Sequence, residues 1–196
     1  MEWEKLSTED YAVTEWSGGT TTQLAISPRG AAYKDRDFLW RLSSAKTENA
    51  HTDFTPLPDY DRIISLLDGG LALKIGDGEK FPLPRFALLA FDGGTHVESW
   101  GICSDFNLML RKGRCIGLVQ HARLTAGALV WDVPAIAPCA HTDTDIAIYC
   151  ANGDIALECG LAATDGETLL RRSAEEKSIA LTSRRGAELM ISVIAH

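Results

Sequence analysis

The sequence predicts an all-β protein of the sandwich or barrel type, and three observations support this prediction. Short segments rich in isoleucine, leucine and valine recur along the chain, each bounded by glycine, proline, asparagine or aspartate. Turn signals separate these segments at close intervals, as in sandwiches and barrels. Apolar residues at helical spacing do not persist over three turns, and Ala174–Lys177 is too short to be more than a turn or loop. The predicted strands are Arg62–Leu67, Leu71–Ile75, Ala128–Val133, Asp145–Cys150, Ile155–Cys159 and Glu188–Ile194.

The size and charge of the chain limit its architecture and its partners. With 196 residues, 45% of them hydrophobic, it can bury a core as one large all-β domain or as two small fused lobes. The 27 acidic residues outnumber the 19 basic ones and give a formal charge of −8. Because nucleic acids and anionic membranes repel a negative surface, we expect neither as a partner.

The cysteines and the N-terminal residues indicate a cytoplasmic protein. The cysteines are odd in number, lie well apart and form no CxxC pair, so we expect reduced, mostly buried thiols. Met1–Lys5 lack the basic and then apolar run of a secretory signal, and no apolar stretch approaches the roughly 20 residues of a membrane helix. The cysteines are Cys103, Cys115, Cys139, Cys150 and Cys159.

Two glycine-containing segments suggest an internal duplication. Leu67–Leu73 contains Asp-Gly-Gly and Ala151–Leu157 contains Asn-Gly, and both supply the positive φ angles of tight hairpin turns. Each half of the chain then contains the same strand, turn and strand, although such hairpins also recur by chance in β proteins. A duplicated barrel places the boundary near Lys112–Cys115, with lobes at residues 1–112 and 113–196.

Five blocks in roughly the first 110 residues together resemble the HutD/Ves family of small bacterial proteins. That resemblance implies a bicupin-like fold, with two cupin barrel lobes in one chain. It also implies a family-level link to histidine utilisation or to stress-induced expression, and binding of a small carboxylate such as a formylglutamate-like ligand. The blocks are WSGGTTTQL at Trp16–Leu24, FLWRLSSA at Phe38–Ala45, DFTPLPDYDRIISLLDGG at Asp53–Gly70, FDGG at Phe91–Gly94 and DFNLM at Asp105–Met109.

Cupin enzymes usually bind a metal through two histidines one residue apart, a downstream glutamate and a further histidine, and this chain lacks that set. No two of its histidines lie within a few residues of one another, so adjacent ligands on one strand face are unavailable. We predict that the protein binds no metal and uses no cofactor. The histidines are His51, His96, His121, His141 and His196.

The second and fifth blocks alternate polar and apolar side chains, which point to opposite faces of a pleated strand. Arg41 and Ser43 share one face of the second block, and Asp105 and Asn107 share one face of the fifth with Met109. These polar faces are either solvated, as in a one-sided antiparallel sheet, or they line the mouth of a cupin barrel, which the family resemblance favours. The apolar faces comprise Phe38, Trp40 and Leu42 in one block and Phe106, Leu108 and Leu110 in the other.

If Arg41 and Asp105 are buried, they require a partner or a ligand, because an isolated buried charge is very costly. An arginine fork suits a carboxylate through two parallel hydrogen bonds. Arg62 either caps the preceding turn through Asp59 or Asp61 or reaches into the barrel mouth, and the sequence favours neither.

The remaining candidates are a glycine and threonine run and the aromatic residues. Gly18–Gln23 either begins a strand at a glycine bulge or lets the backbone approach a ligand closely, and it lacks the spacing of a nucleotide-binding loop. Trp100 is a candidate for the mouth. The aromatic residues expected in the core are Trp16, Trp40, Phe54, Phe91 and Phe106.

These observations favour a metal-free bicupin-like protein that binds a small anionic or polar metabolite, in a regulatory or sensory role. Arg41, Ser43, Arg62, Asp105 and Asn107 form the predicted site. No nucleophile elbow and no catalytic carboxylate pair is identified, so an enzyme is not favoured. The alternatives are a metal-independent enzyme of small carbohydrates or amino-acid derivatives, with Asp105 or a histidine as the base, and a structural partner protein. Because cupin-like sheets pair by edges or faces, we expect a homodimer.

Overall fold

The computed structural model describes residues 2–136 and 143–196, and in this part of the chain the secondary structure is almost entirely β. The helical element described is a short 3-10 turn, Tyr33–Asp35. The all-β prediction is therefore confirmed, while Cys139 and His141 lie outside the described residues. The strands are β1 (Glu4–Leu6), β2 (Ala12–Trp16), β3 (Gly19–Ser27), β4 (Trp40–Thr47), β5 (His51–Asp53), β6 (Tyr60–Gly69), β7 (Ala72–Ile75), β8 (Phe81–Pro82), β9 (Leu88–Asp92), β10 (Val97–Trp100), β11 (Cys103–Arg111), β12 (Ile116–Leu124), β13 (Gly127–Asp132), β14 (Thr144–Leu157), β15 (Ala162–Thr164), β16 (Thr168–Arg171), β17 (Ser178–Ser183) and β18 (Ala187–Ala195).

The chain forms two compact units. The N-terminal unit is Tyr11–Arg114, and the C-terminal unit combines Cys115–His196 with the residues up to Asp10. The first residues belong to the C-terminal unit because β1 pairs antiparallel with β16, with Glu4 opposite Leu170. The lobes expected at residues 1–112 and 113–196 differ from these units mainly in the placement of that first strand. Within the described residues, no helix has the length and apolar character needed to cross a membrane.

The N-terminal unit consists of two antiparallel sheets. The six-stranded sheet has the order β2-β3-β4-β11-β6-β9, and the four-stranded sheet has the order β5-β10-β7-β8. Both sheets contribute to one core cluster, in which β6 supplies Ile64 and Leu66, β7 supplies Leu73 and β10 supplies Val97. A second cluster in this unit comprises Ile26, Phe38, Leu57, Tyr60 and Met109.

The C-terminal unit contains one eight-stranded sheet with the central order β1-β16-β14-β17-β13, in which β18 pairs with both β12 and β14. Its core includes fully buried residues of β14, β16, β17 and β18, namely Ile146, Ile148, Leu169, Leu181, Leu189 and Ile191.

The four cysteines in the described residues are free thiols. Cys103, Cys115 and Cys150 are buried, and Cys159 is exposed.

The prediction of two hairpin turns is wrong. The two glycine segments instead lie beside a strand bulge in each unit. Gly153 lies inside the continuous strand β14, and Gly69 ends β6, whereas β7 belongs to the other sheet. Both glycines have positive φ, 83° and 98° for Gly69 and Gly153, beside a register shift in the strand pair. A Cβ there would lie 2.3 Å from the carbonyl oxygen of Ile102 and 2.0 Å from that of Gly186, respectively. Each glycine therefore allows a bulged strand to pass close to its neighbour.

Candidate functional site

A cavity of about 180 Å³ lies within the N-terminal unit, and all five residues of the predicted site line it. Arg41 and Ser43 come from β4, Arg62 from β6, and Asp105 and Asn107 from β11. The other residues of its wall come from the same face of these strands, from β2 and β3, and from two loops. They are Thr14, Trp16, Thr21, Tyr33, Ala45, Thr47, Phe54, Thr55 and Met109.

Strand register explains why residues so distant in sequence meet. β11 lies between β4 and β6, with Asn107 opposite Ser43, and Met109 opposite both Arg41 and Arg62. Directly opposed residues in an antiparallel pair point to the same face of the sheet. The polar faces predicted for the two blocks therefore form one surface.

Burial excludes the interpretation in which these polar faces are solvated. The five residues are between 2% and 7% exposed. The apolar residues on the other face, Trp40, Leu42, Phe106 and Leu108, are fully buried as well. Phe38 departs from the predicted alternation because β4 begins only at Trp40, and its ring instead stacks on Tyr60 with 4.3 Å between centroids.

Arg41 is held by the protein itself. Its Nε donates a hydrogen bond to Oε1 of Gln23 at 2.9 Å, and Nη1 donates to Oγ of Ser43 at 3.3 Å. The guanidinium lies 4.2 Å from the ring centroid of Tyr33, a cation–π distance. Burial lowers the pKa of Arg41 to about 10, so it stays protonated at neutral pH.

Arg62 reaches the cavity, the second of the two alternatives for this residue. Its guanidinium lies 4.8 Å from the ring centroid of Phe54 and 5.2 Å from that of Phe91. Its Nε is buried with no hydrogen-bond partner in the described chain. Burial lowers the pKa of Arg62 to about 10, an effect that the charge of Asp105 opposes. The side chain is therefore a buried cation with an unused donor.

Asp105 and Asn107 supply the acceptors of the site. Burial raises the pKa of Asp105 to about 6, although the charge of Arg62 and a backbone hydrogen bond from Ala45 oppose this. Oδ1 of Asn107 is buried and has no hydrogen-bond partner among the described residues. Buried polar atoms in native proteins are almost always satisfied, and one left unsatisfied is costly. A ligand with both an acceptor and a donor would satisfy Arg62 and Asn107 together.

Several cavity residues were not identified from the sequence. Thr47 continues the alternation of Arg41, Ser43 and Ala45, so parity alone could have included it. Tyr33 lies in the 3-10 turn, for which the sequence has no comparable signal. Trp16 was expected in the core, but it is 37% exposed and lines the cavity. Phe54 packs against the core as expected and also lines the cavity.

Other aromatic residues lie away from the cavity. Trp40 and Phe106 are fully buried as predicted, and Phe91 packs against the core of the N-terminal unit. The expectation that Trp100 lines the mouth is wrong. Its ring stacks on His51 with 4.8 Å between centroids, and the ammonium group of Lys80 lies 4.1 Å from its centroid.

The cavity does not offer the ligands of a cupin metal centre. Its described wall has one carboxylate, Asp105, with no histidine or cysteine, and two guanidinium groups that repel a cation. Elsewhere, ligand atoms of His51, Asp53 and Glu98 lie within 4.8 Å of one another. Both His51 and Asp53 are exposed, and the ammonium group of Lys74 already lies 3.3 Å from Glu98, so this cluster is explained by surface ion pairing.

Two β units in one chain, one of them with a polar cavity on its strand faces, define a bicupin-like protein. The chain belongs to the HutD family, whose model matches residues 8–190. The resemblance identified from the five blocks and the predicted fold class are both confirmed.

Comparison with relatives and solved structures agrees with this assignment. Protein Ves of Cronobacter sakazakii is 36% identical over 112 residues, which are 55% of this chain and 59% of that protein, so the match spans less than two thirds of the relative. PA5104 from Pseudomonas aeruginosa PAO1 shares 25% sequence identity with this chain, and its crystal structure matches the fold with a TM-score of 0.84 over 100% of both chains. HutD from Pseudomonas fluorescens SBW25 is 20% identical, with a TM-score of 0.78 over 100% of both chains, a likeness of fold.

Proposed function

We propose that the cavity of the N-terminal unit binds a small metabolite that bears a carboxylate, without a metal ion. The observation that supports this is the pair of unsatisfied buried atoms in its wall, Nε of Arg62 and Oδ1 of Asn107. One requires an acceptor and the other a donor, and both belong to residues with 6% exposure. Burial without a partner is tolerated where a ligand completes the hydrogen bonds.

The charges of the cavity favour an anion. Two arginines face one aspartate, whose pKa is raised to about 6 by burial. Since Arg41 already donates to Gln23 and Ser43, Arg62 is the arginine with a donor available for the ligand. Charge-assisted hydrogen bonds from a guanidinium to a carboxylate are stronger than neutral ones, and a ligand carboxylate also neutralises the buried cations.

The family assignment suggests which carboxylates to examine. The HutD/Ves resemblance implies a formylglutamate-like carboxylate, and the solved structure of HutD from Pseudomonas fluorescens SBW25 is one of a formate condition. We propose a regulatory or sensory role in amino-acid catabolism or stress response, in the cytoplasm. Homodimerisation stays a prediction, which sedimentation equilibrium would check.

Asp105 supports a second candidate function, metal-independent catalysis on a small amino-acid derivative. A carboxylate with a pKa of about 6 in a cavity suits a general base near neutral pH. The described cavity wall contains no histidine that could take this role instead. Turnover of a bound carboxylate that Asp105→Asn abolishes would favour the enzyme over the binding protein.

Ligand-dependent thermal stabilisation tests the binding proposal. Formate, glutamate and N-formylglutamate are titrated, and a ligand that binds the folded state raises the unfolding midpoint with concentration. Arg62→Met should weaken binding by about 10-fold to 100-fold, since hydrogen bonds to charged groups contribute about 1.5–3 kcal/mol. Arg114→Met, which removes an exposed arginine outside the cavity, is the matched control and should bind normally. Equal affinities of a folded Arg62→Met variant and the wild type would refute the assignment.

A further inference from the structure

The aromatic residues of the cavity wall differ in what their rings contact. The ring of Tyr33 lies 3.8 Å from the guanidinium of Arg36 and 4.2 Å from that of Arg41. The ring of Phe54 lies 4.8 Å from the guanidinium of Arg62. These two rings therefore serve the arginines of the site, because an aromatic face stabilises a cation placed over it.

Trp16 has no such partner. Within the described residues, neither an aromatic ring nor a cation stacks on its indole. Its side chain lines the cavity, and the residue is 37% exposed. An exposed indole forgoes much of the hydrophobic free energy that burying this large ring would contribute. Its exposed surface is thus available to whatever enters the cavity.

The absence of a side chain at Gly18 lets the ring of Trp16 pack against the backbone. A Cβ added to Gly18 would lie 2.0 Å from Cζ3 and 2.6 Å from Cη2 of Trp16, and 2.8 Å from Cγ2 of Thr52. The indole therefore rests directly on the backbone of Gly18, beside Thr52. Gly19 begins β3 and passes so close to Lys46 that a Cβ would lie 1.9 Å from its carbonyl oxygen. In the Trp-Ser-Gly-Gly segment the indole thus packs on the backbone of Gly18, directly before β3.

We infer that Trp16 is a stacking platform at the cavity mouth and that the ligand is a carboxylate attached to a flat, conjugated body such as an aromatic or heteroaromatic ring. This inference rests on the proposed function, in which Arg62 binds the carboxylate, and it favours flat carboxylates over flexible formylglutamate-like ones. A cavity of about 180 Å³ has room for about a dozen spheres of water size, enough for one ring and a carboxylate. Offset stacking of aromatic rings contributes beyond the burial of area, so the platform selects for flatness as well as for apolar character.

Benzoate and cyclohexanecarboxylate form a matched pair for the test, because they share charge and carbon number and differ in flatness and aromaticity. Isothermal titration calorimetry of the wild-type protein should give benzoate an affinity about fivefold to tenfold higher. Trp16→Leu should remove that preference and leave the affinity for acetate within about twofold, while Trp16→Phe should retain most of it. Val13→Ala, on the same strand and 62% exposed, controls for changes in β2.

The outcomes separate this inference from the proposed function. Equal affinities of the two ring acids for the wild-type protein, or a preference that survives in Trp16→Leu, would overturn the platform while leaving carboxylate binding by Arg62 intact. The wild-type comparison needs no variant, so a Trp16→Leu protein that fails to fold does not block the test. If none of acetate, benzoate and cyclohexanecarboxylate binds while N-formylglutamate does, the platform is wrong and the proposed function stands; if N-formylglutamate fails to bind as well, both are wrong.

Discussion

The pH dependence of stability tests whether burial dominates the environment of Asp105. This carboxyl group is 7% exposed, and burial raises its pKa from 3.8 to about 6. The folded protein therefore keeps the proton between about pH 4 and pH 6, whereas the unfolded chain has released it. Because unfolding then releases a proton, the free energy of unfolding falls as pH rises through this window. A shift of about two units corresponds to about 3 kcal/mol.

The change that isolates this effect is Asp105→Asn, which has similar size and does not titrate. We expect the difference in free energy of unfolding between the variant and the wild type to shift by about 3 kcal/mol in favour of the variant from about pH 4 to about pH 7. Urea unfolding at several pH values measures it. The attraction to Arg62 that the variant loses above pH 6 is already included in the pKa of Asp105. Asp61→Asn, which removes an exposed carboxylate from β6, controls for the loss of one negative charge.

The reasoning would be refuted if the difference in free energy of unfolding between Asp105→Asn and the wild type stayed constant within about 0.5 kcal/mol from about pH 4 to about pH 7. Attraction to Arg62 would then offset the effect of burial on the pKa of Asp105 completely. A shift in favour of the wild type would show that the attraction to Arg62 dominates and that the carboxylate is stabilised in its charged form.

Two further variants test the cavity and the fold. Asn107→Leu removes an unsatisfied buried acceptor, so it should raise the free energy of unfolding without ligand by about 1 kcal/mol in urea unfolding. It should also weaken binding of N-formylglutamate, whose amide N–H can donate to that acceptor, in calorimetry. A less stable variant would contradict this. Gly69→Ala should destabilise by about 2 kcal/mol or more in the same unfolding assay, because its φ is +83° and a Cβ would lie 2.3 Å from a carbonyl oxygen. Gly70→Ala, where a Cβ meets nothing within 4 Å, is the control and should change the free energy of unfolding by less than about 0.5 kcal/mol. Equal destabilisation by the two substitutions would show that the bulge does not require glycine at position 69.

Much of the site could be predicted because alternation along a strand is a local property. The polar positions Arg41, Ser43, Asp105 and Asn107 follow from residue order once the segments are recognised as strands. Whether their face met solvent or a cavity did not follow from alternation, and only the family resemblance favoured the cavity. Burial of both strand faces answers that question.

The glycine segments show where local reasoning fails. Asn-Gly and Asp-Gly sequences are common in tight turns, but here the glycines accompany bulges at which a strand passes a neighbouring carbonyl group. A bulge depends on the register of a strand distant in sequence, so composition cannot distinguish it from a turn.

By itself, the sequence determined an all-β chain, the residues on each strand face and the residue types that suit an anionic ligand, because these depend on propensity and on a period of two residues. The tertiary structure decided that Arg41 makes hydrogen bonds within the protein while Nε of Arg62 has none, and that Trp16 lines the cavity and does not lie in a core. The physical reason is that hydrogen-bond partners, ring contacts and burial arise from long-range pairing of β3, β4, β6 and β11, whose register is set by packing of the whole sheet.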